Sequence, residues 1–198
     1  VVVIGGGVVG FNAAQMAAGL GADTIVLDRS PSVLEDLSNH FETRIRTRFS
    51  SRSNLADSVR AADLVIGAVL VAGGRAPVVV SEELVAAMKP GAVVVDVAVD
   101  QGGCIATTRE TTHDDPVYEL HGVLHYAVGN MPGAVPHTST YALTNATLPY
   151  QIDVAVHGAL GAARRSPSIA HGLNTVGGRH ANPIVAASLG ATADDPLA

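Results

Sequence analysis

Cysteine and lysine are nearly absent from this 198-residue chain, which holds one of each, Cys104 and Lys89, beside eleven arginines. One thiol can neither close an internal disulfide nor build a cysteine-ligated zinc site, and its scarcity fits a reducing cytoplasm. One lysine leaves almost nowhere to find a catalytic ammonium. Positive charge as a whole is short. Twelve Lys and Arg stand against eighteen Asp and Glu, a net charge of −6, which leaves no footprint for a polyanion and argues against a nucleic-acid partner. Long apolar runs are missing too. Those present, such as Ala92 to Val99, are broken by charge and fall well short of the ~20 residues of a membrane span. No basic segment precedes an apolar core in the manner of a secretion signal. These absences predict a soluble, cytoplasmic protein with no membrane partner. An initiating Met is also missing, and a strand pattern is already under way at Val1, so the chain is expected to be part of a longer polypeptide.

What is present alternates between strand and helix. Hydrophobic residues make up 47% of the chain, enough for a buried core, and the length suits one domain of roughly 100–200 residues plus an extension. Val1 to Ile4 is β-branched with no polar face, as in a strand covered on both sides of a parallel sheet. Helix is expected over Phe11 to Leu20, strand over Thr24 to Leu27, and a second helix after Ser30-Pro31, with Ser30 as N-cap. Arg44 to Phe49 and Leu64 to Leu70 read as strands flanking a helix at Leu55 to Ala62. A further helix starts at Ser81, with Glu82 and Glu83 in its first turn. Ala92 to Val99 is the most hydrophobic strand, and Val123 to Val128 the last. One long helix follows, about Ser139 to Ala163, then a loose tail. The expected fold is α/β, a doubly wound parallel (Rossmann) sheet with right-handed crossovers over residues 1–137, and a C-terminal helical extension over 138–198.

Gly5-x-Gly7-x-x-Gly10 follows the first strand and opens the first helix, and Asp28 ends the second strand eighteen positions past the third glycine. The first glycine allows a tight turn, the second lets backbone approach a pyrophosphate, and the third lets helix and strand pack closely. Unpaired amides of Val8, Val9 and Gly10 would meet the phosphates. Asp28 can accept hydrogen bonds from both ribose hydroxyls and would repel a 2′-phosphate, so NAD is preferred over NADP. Glycines that serve only packing, or an S-adenosylmethionine site, remain alternatives. Ligands of such sheets bind at the carboxyl ends of the strands, which points to Ser50, Val69, Leu70, Val97, Ala98, Val99, Asp100, Val128, Gly129, Asn130 and Met131.

Three stretches converge on one family: Ala62-Asp63-Leu64-Val65-Ile66-Gly67-Ala68-Val69-Leu70; Met88 through the strand to Asp100-Gln101-Gly102-Gly103; and Asn130-Met131-Pro132-Gly133-Ala134-Val135-Pro136 with Ala142-Leu143-Thr144-Asn145-Ala146-Thr147. They resemble the alanine dehydrogenases, whose relatives include the alpha subunit of proton-translocating transhydrogenase and the saccharopine-forming enzymes. The resemblance implies NAD-dependent oxidative deamination of L-alanine to pyruvate and ammonia. It implies that the substrate-binding Arg and Lys and the catalytic His lie upstream of this sequence, and that 138–198 packs on a substrate domain outside it. It also implies a homohexamer.

By the same resemblance Asp100 is the catalytic aspartate, binding the substrate nitrogen or the attacking water; its plainer role would be to cap the Gln101-Gly102-Gly103 turn. Asp96 reads as structural. Asn130 and Met131 match the loop along the nicotinamide, Ser50, Val69 and Leu70 match contacts to the adenosine side and ribose, and Arg109 matches a residue near the cofactor. Asp153 and His157, at i and i+4, match a magnesium-linked pair, although two ligands are few and imidazole suits a hard cation poorly. Cys104 reads as an inert small residue. Val33 and His137 depart from the family pattern where basic residues are usual. A non-catalytic NAD(H)-binding module and a transhydrogenase subunit are the competing readings.

Overall fold

In the computed structural model, which describes residues 1–195 and 197, the opening β-branched run forms β1 (Val2–Ile4), buried throughout. Pro196 and Ala198, the end of the expected extension, lie outside the described residues. The chain divides into two compact units, Val1–Met131 and Pro132–Ala198.

The first unit alternates as expected: α1 (Val8–Gly19), β2 (Ile25–Asp28), α2 (Pro31–Phe41), β3 (Arg46–Phe49), α3 (Arg52–Ala61), β4 (Leu64–Gly67), α4 (Glu82–Ala86), β5 (Val93–Asp96), β6 (Val117–Leu120) and β7 (Val123–Tyr126). The strands make one sheet in the order β3-β2-β1-β4-β5-β7-β6. All neighbours are parallel except β6 on β7. This is a Rossmann-like sheet whose strand order reverses between β1 and β4, where such folds open a crevice. Alternation of side chains along β1 divides the core in two. Val2 and Ile4 pack with Val65, Val94, Val59 and Val85 on one face, and Val3 packs with Val26, Ala14, Leu37 and Phe41 on the other.

Three expectations need correction. The hydrophobic run at Ala92–Val99 does not stay extended, because the strand ends at Asp96 and Val99–Gln101 is a turn of 3-10 helix. The Asp96 carboxylate turns the chain by accepting from the amides of Ala98 (3.1 Å), Cys104 (2.9 Å) and Ile105 (3.1 Å). Asp100 therefore sits on that turn and not at the end of a strand. Secondly, β6 was not expected. It pairs with β7 across His121-Gly122, whose φ values of 56° and 72° are those of a two-residue hairpin turn with both central residues left-handed.

The third concerns the second unit, whose tail is not loose. Its helix α5 (Pro136–Arg165) carries Pro149 inside and breaks at Gly158 (φ 70°, ψ 165°). There follow α6 (Pro167–His171), a hairpin of β8 (Thr175–Val176) and β9 (Arg179–His180), and α7 (Pro183–Ser188). Asn182 caps α7 by accepting from the amides of Ile184 and Val185 at 3.0 and 3.2 Å. Among the described residues no helix is long and apolar enough to cross a membrane.

His125 of β7 is fully buried and stacked on Tyr118 of β6, ring centroids 4.9 Å apart. Its Nδ1 stands 2.9 Å from the Val123 carbonyl and its Nε2 2.8 Å from the Thr107 hydroxyl. A carbonyl can only accept, so Nδ1 carries the proton and Nε2 accepts from Thr107, which satisfies the neutral ring. Burial holds this imidazole below the ordinary histidine range. Below about pH 6.5 the unfolded chain then binds a proton that the folded chain refuses, so stability falls as pH drops. Unfolding free energy measured by urea titration from pH 7.5 to 5 is expected to decline toward acid, and His125→Gln to flatten that decline.

Candidate functional site

Glycine is required around the first turn for separate mechanical reasons. Gly5 leaves β1 with φ +99°, and a Cβ there would come within 2.6 Å of the carbonyl oxygen of Ala68, the residue that follows β4. Gly10, in the first turn of α1, passes so close to the Gly5 carbonyl that any Cβ would collide with it. Gly7 is different. It is the N-cap of α1, no side chain caps the helix there, and a Cβ at Gly7 would meet nothing within 4 Å. The first-turn amides of Val8, Val9 and Gly10 have no intrahelical acceptor, and Val8 and Val9 are exposed. The loop offers donors, positive helix dipole and room.

Asp28, at the tip of β2, is half-buried and already held. Its Oδ2 accepts from the Gly6 amide at 2.7 Å and its Oδ1 from the Ser30 amide at 2.8 Å. Two bonds leave each carboxylate oxygen acceptor capacity, so the group is oriented without being used up. Sequence reasoning missed Gly6; the signal was the unbroken Gly5-Gly6-Gly7. A Cβ on Gly6 would press on Val33 at 2.7 Å and Leu37 at 2.8 Å, so Val33 fills apolar space beneath the loop.

The remaining strand ends share this edge of the sheet. The Ser50 amide donates to the Asp28 carbonyl at 2.8 Å. Ala68, held to Ile4 by a 2.8 Å bond, leads into half-buried Val69 and exposed Leu70. Val97 is tied to the Gly67 carbonyl at 2.9 Å, and Ala98 and Val99 are buried below it. Asp100 is exposed, and its carboxylate accepts from the Asn130 amide at 3.1 and 3.4 Å. It caps the segment after β7 and not its own turn. Val128 is buried and bridged to Thr111, Gly129 donates to the Thr111 carbonyl at 3.1 Å, and half-buried Met131 ends the unit. Asn130 has φ +52°, a left-handed conformation that Asn tolerates better than most residues.

Four residues take other places. Asp96 is fully buried and accepts a fourth bond, from the Thr108 hydroxyl at 2.6 Å, the structural role read for it. Cys104 is also buried; desolvation, reinforced by Asp96 at 3.4 Å, pushes its thiol up to about 12. It stays protonated and unreactive. Arg109 lies with its guanidinium 4.2 Å from the Tyr118 ring centroid, a cation–π contact on the outermost strand. His137 stacks on Tyr141, ring centroids 5.0 Å apart.

In the second unit Asp153 and His157 stand 3.5 Å apart, with the Arg165 guanidinium 3.7 Å from the same carboxylate. That arginine already supplies a countercharge, and no group of three or more metal-ligating side chains occurs among the described residues. This donor set does not fit a magnesium ion.

The whole of this geometry lies inside a region, residues 1–183, that matches the family "Alanine dehydrogenase/PNT, C-terminal domain". The chain is 53% identical over 191 residues to the alanine dehydrogenase of Bacillus subtilis, covering 96% of this chain and 50% of that protein. It is 52% identical over 196 residues to the alanine dehydrogenase of Mycobacterium tuberculosis, covering 99% and 53%. A solved L-alanine dehydrogenase superposes with TM-score 0.83 at 47% identity over 96% of this chain and 52% of that one. A transhydrogenase from Sinorhizobium meliloti gives 0.67 at 29% identity, over 81% and 45%. The chain thus spans about half the length of the relatives it matches.

The opening loop imposes a test that needs no ligand. Gly10→Ala is expected to lower unfolding free energy by about 1–3 kcal/mol, as overpacking does, because the Gly5 carbonyl is backbone and cannot swing aside. Gly7→Ala, whose Cβ meets open space, is expected to lose clearly less in the same denaturant titration.

Proposed function

We infer from the family to which this chain belongs, the alanine dehydrogenase/PNT C-terminal domain family, that it is the NAD-binding part of an alanine dehydrogenase. The observation that carries the reading is the pairing of an open, uncapped amide loop at Gly7 with an Asp28 carboxylate pinned by Gly6 and Ser30. Amides suit a diphosphate and the carboxylate suits a vicinal diol. A 2′-phosphate beside Asp28 would meet like charge, so the cofactor is NAD and not NADP.

The reaction is L-alanine, water and NAD⁺ to pyruvate, ammonium, NADH and a proton. When bound, NAD supplies the hydride acceptor. The chain's own residues bind and orient. Val8, Val9 and Gly10 hold phosphate oxygens by their amides, Asp28 holds the adenosine ribose, and Ser50, Val69 and Leu70 line the adenosine side. Val97, Ala98, Val99, Val128 and Gly129 form the floor, and Asn130 and Met131 flank the nicotinamide. Asp100 keeps acceptor capacity beyond the Asn130 bond and faces solvent, so it can bind the substrate nitrogen or the attacking water and pass a proton. Arg109, stacked on Tyr118, stays a candidate contact near the cofactor, and no metal role is assigned to Asp153 and His157. The substrate-binding and histidine groups belong to the other half of the enzyme, which we place in the cytoplasm as a homohexamer.

Fluorescence titration of this chain with NADH is expected to saturate, with no alanine-dependent absorbance change from the chain alone; turnover by the chain alone, or no binding, defeats the reading. Asp28→Arg is expected to shift the NADH-to-NADPH affinity ratio toward NADPH by about ten-fold or more, and an unchanged ratio counts against the ribose role. Asp100→Asn in the full-length enzyme is expected to lower kcat about a hundred-fold or more with NAD affinity nearly kept. Collapse of NAD affinity would instead make Asp100 a structural cap.

A further inference from the structure

We infer that His113 is a positioning residue for the nicotinamide end of the site, an inference that rests on the NAD-binding reading above. Asn130 is the strained residue at that end. Its left-handed φ of +52° costs energy for a side-chain-bearing residue, so something must hold it. Two bonds do so from opposite sides. The Asp100 carboxylate takes its N–H at 3.1 Å, and His113 Nε2 stands 3.1 Å from its carbonyl oxygen. A carbonyl only accepts, so Nε2 carries a proton and donates; the bond forms in the neutral and the charged ring alike.

His113 can act as a brace because its own loop is closed. The Thr111 amide donates to the Ala127 carbonyl at 2.9 Å, and the Gly129 amide to the Thr111 carbonyl at 3.1 Å. The Thr111 hydroxyl donates to the Pro116 carbonyl at 3.0 Å, and the Thr112 hydroxyl accepts from the Asp115 amide at 3.2 Å. A ring reaching across from residue 113 therefore fixes the peptide after Asn130, and with it the direction in which the Asn130 N–H meets Asp100. Without the brace, Asn130 loses one of its own two restraints and only the Gly129 and Asp100 bonds hold segment 129–131, so the groups flanking the nicotinamide lose their register. The adenosine half, held by Gly6, Asp28 and Ser30, is untouched.

That division sets the test. In this chain, His113→Ala is expected to bind NADH about five-fold more weakly, the worth of one hydrogen bond. ADP-ribose, which lacks the nicotinamide, is expected to bind as in the parent, both by isothermal titration calorimetry. His113→Gln, which keeps an N–H donor at similar reach, is expected to restore most of the NADH affinity. Unchanged NADH affinity in His113→Ala, with the parent binding normally, overturns the positioning role and leaves the NAD-binding reading intact. Parallel losses on both probes, or no recovery in His113→Gln, would reflect general disordering of the loop and overturn it too. A parent chain that binds neither probe brings down the NAD-binding reading and this inference together.

Discussion

The Asp96 carboxylate, sealed from solvent at the end of β5, organises the segment that carries Asp100. A buried carboxylate is tolerated only when its desolvation is offset by hydrogen bonds. Here five donors converge on it, the amides of Ala98, Cys104 and Ile105, the hydroxyl of Thr108 and the thiol of Cys104. The same bonds that satisfy the charge dictate the path of residues 97–108. They end the strand, tuck Cys104 against the sheet and present Asp100 outward on the following turn. From Thr108 the chain runs on to the loop that flanks Val128 to Asn130. One side chain thus couples the end of β5 to the end of β7 without touching anything that binds there.

Asp96 and Asp100 are four residues apart with the same chemistry and opposite fates. Residue type told them apart poorly; burial decides. Asp96 faces inward, where the backbone surrounds it, and Asp100 lies on the turn, exposed to water. Periodicity alone ran the strand on to Val99, because nothing in Val97-Ala98-Val99 says that a preceding carboxylate will bend it. The separation of the buried acid from the exposed one follows from this bend.

Much of the fold was nonetheless legible. Strands covered on both faces are β-branched runs, and helices beginning at Ser30-Pro31 and Ser81 carry caps that any chain would use. The glycine loop was legible because its demands are steric and local. The polar edge strand β6 was not, since Tyr118 and Glu119 carry no burial signal and its turn depends on His121 accepting a left-handed backbone. Nor could sequence reveal that Gly6 clasps Asp28 or that His113 reaches Asn130. These are contacts across 22 and 17 residues, created by the sheet and invisible before it exists. The short elements after Arg165 were hidden likewise, because Gly, Asn and Pro mark turns and caps as readily as looseness.

The environment of Cys104 bears on how the molecule can be handled. A thiol kept protonated under the sheet is a poor nucleophile toward maleimides and iodoacetamides. A cysteine introduced on the surface would then be the sole reactive handle, so a fluorophore or spin label could be attached at one chosen position with the native sulfur left in place.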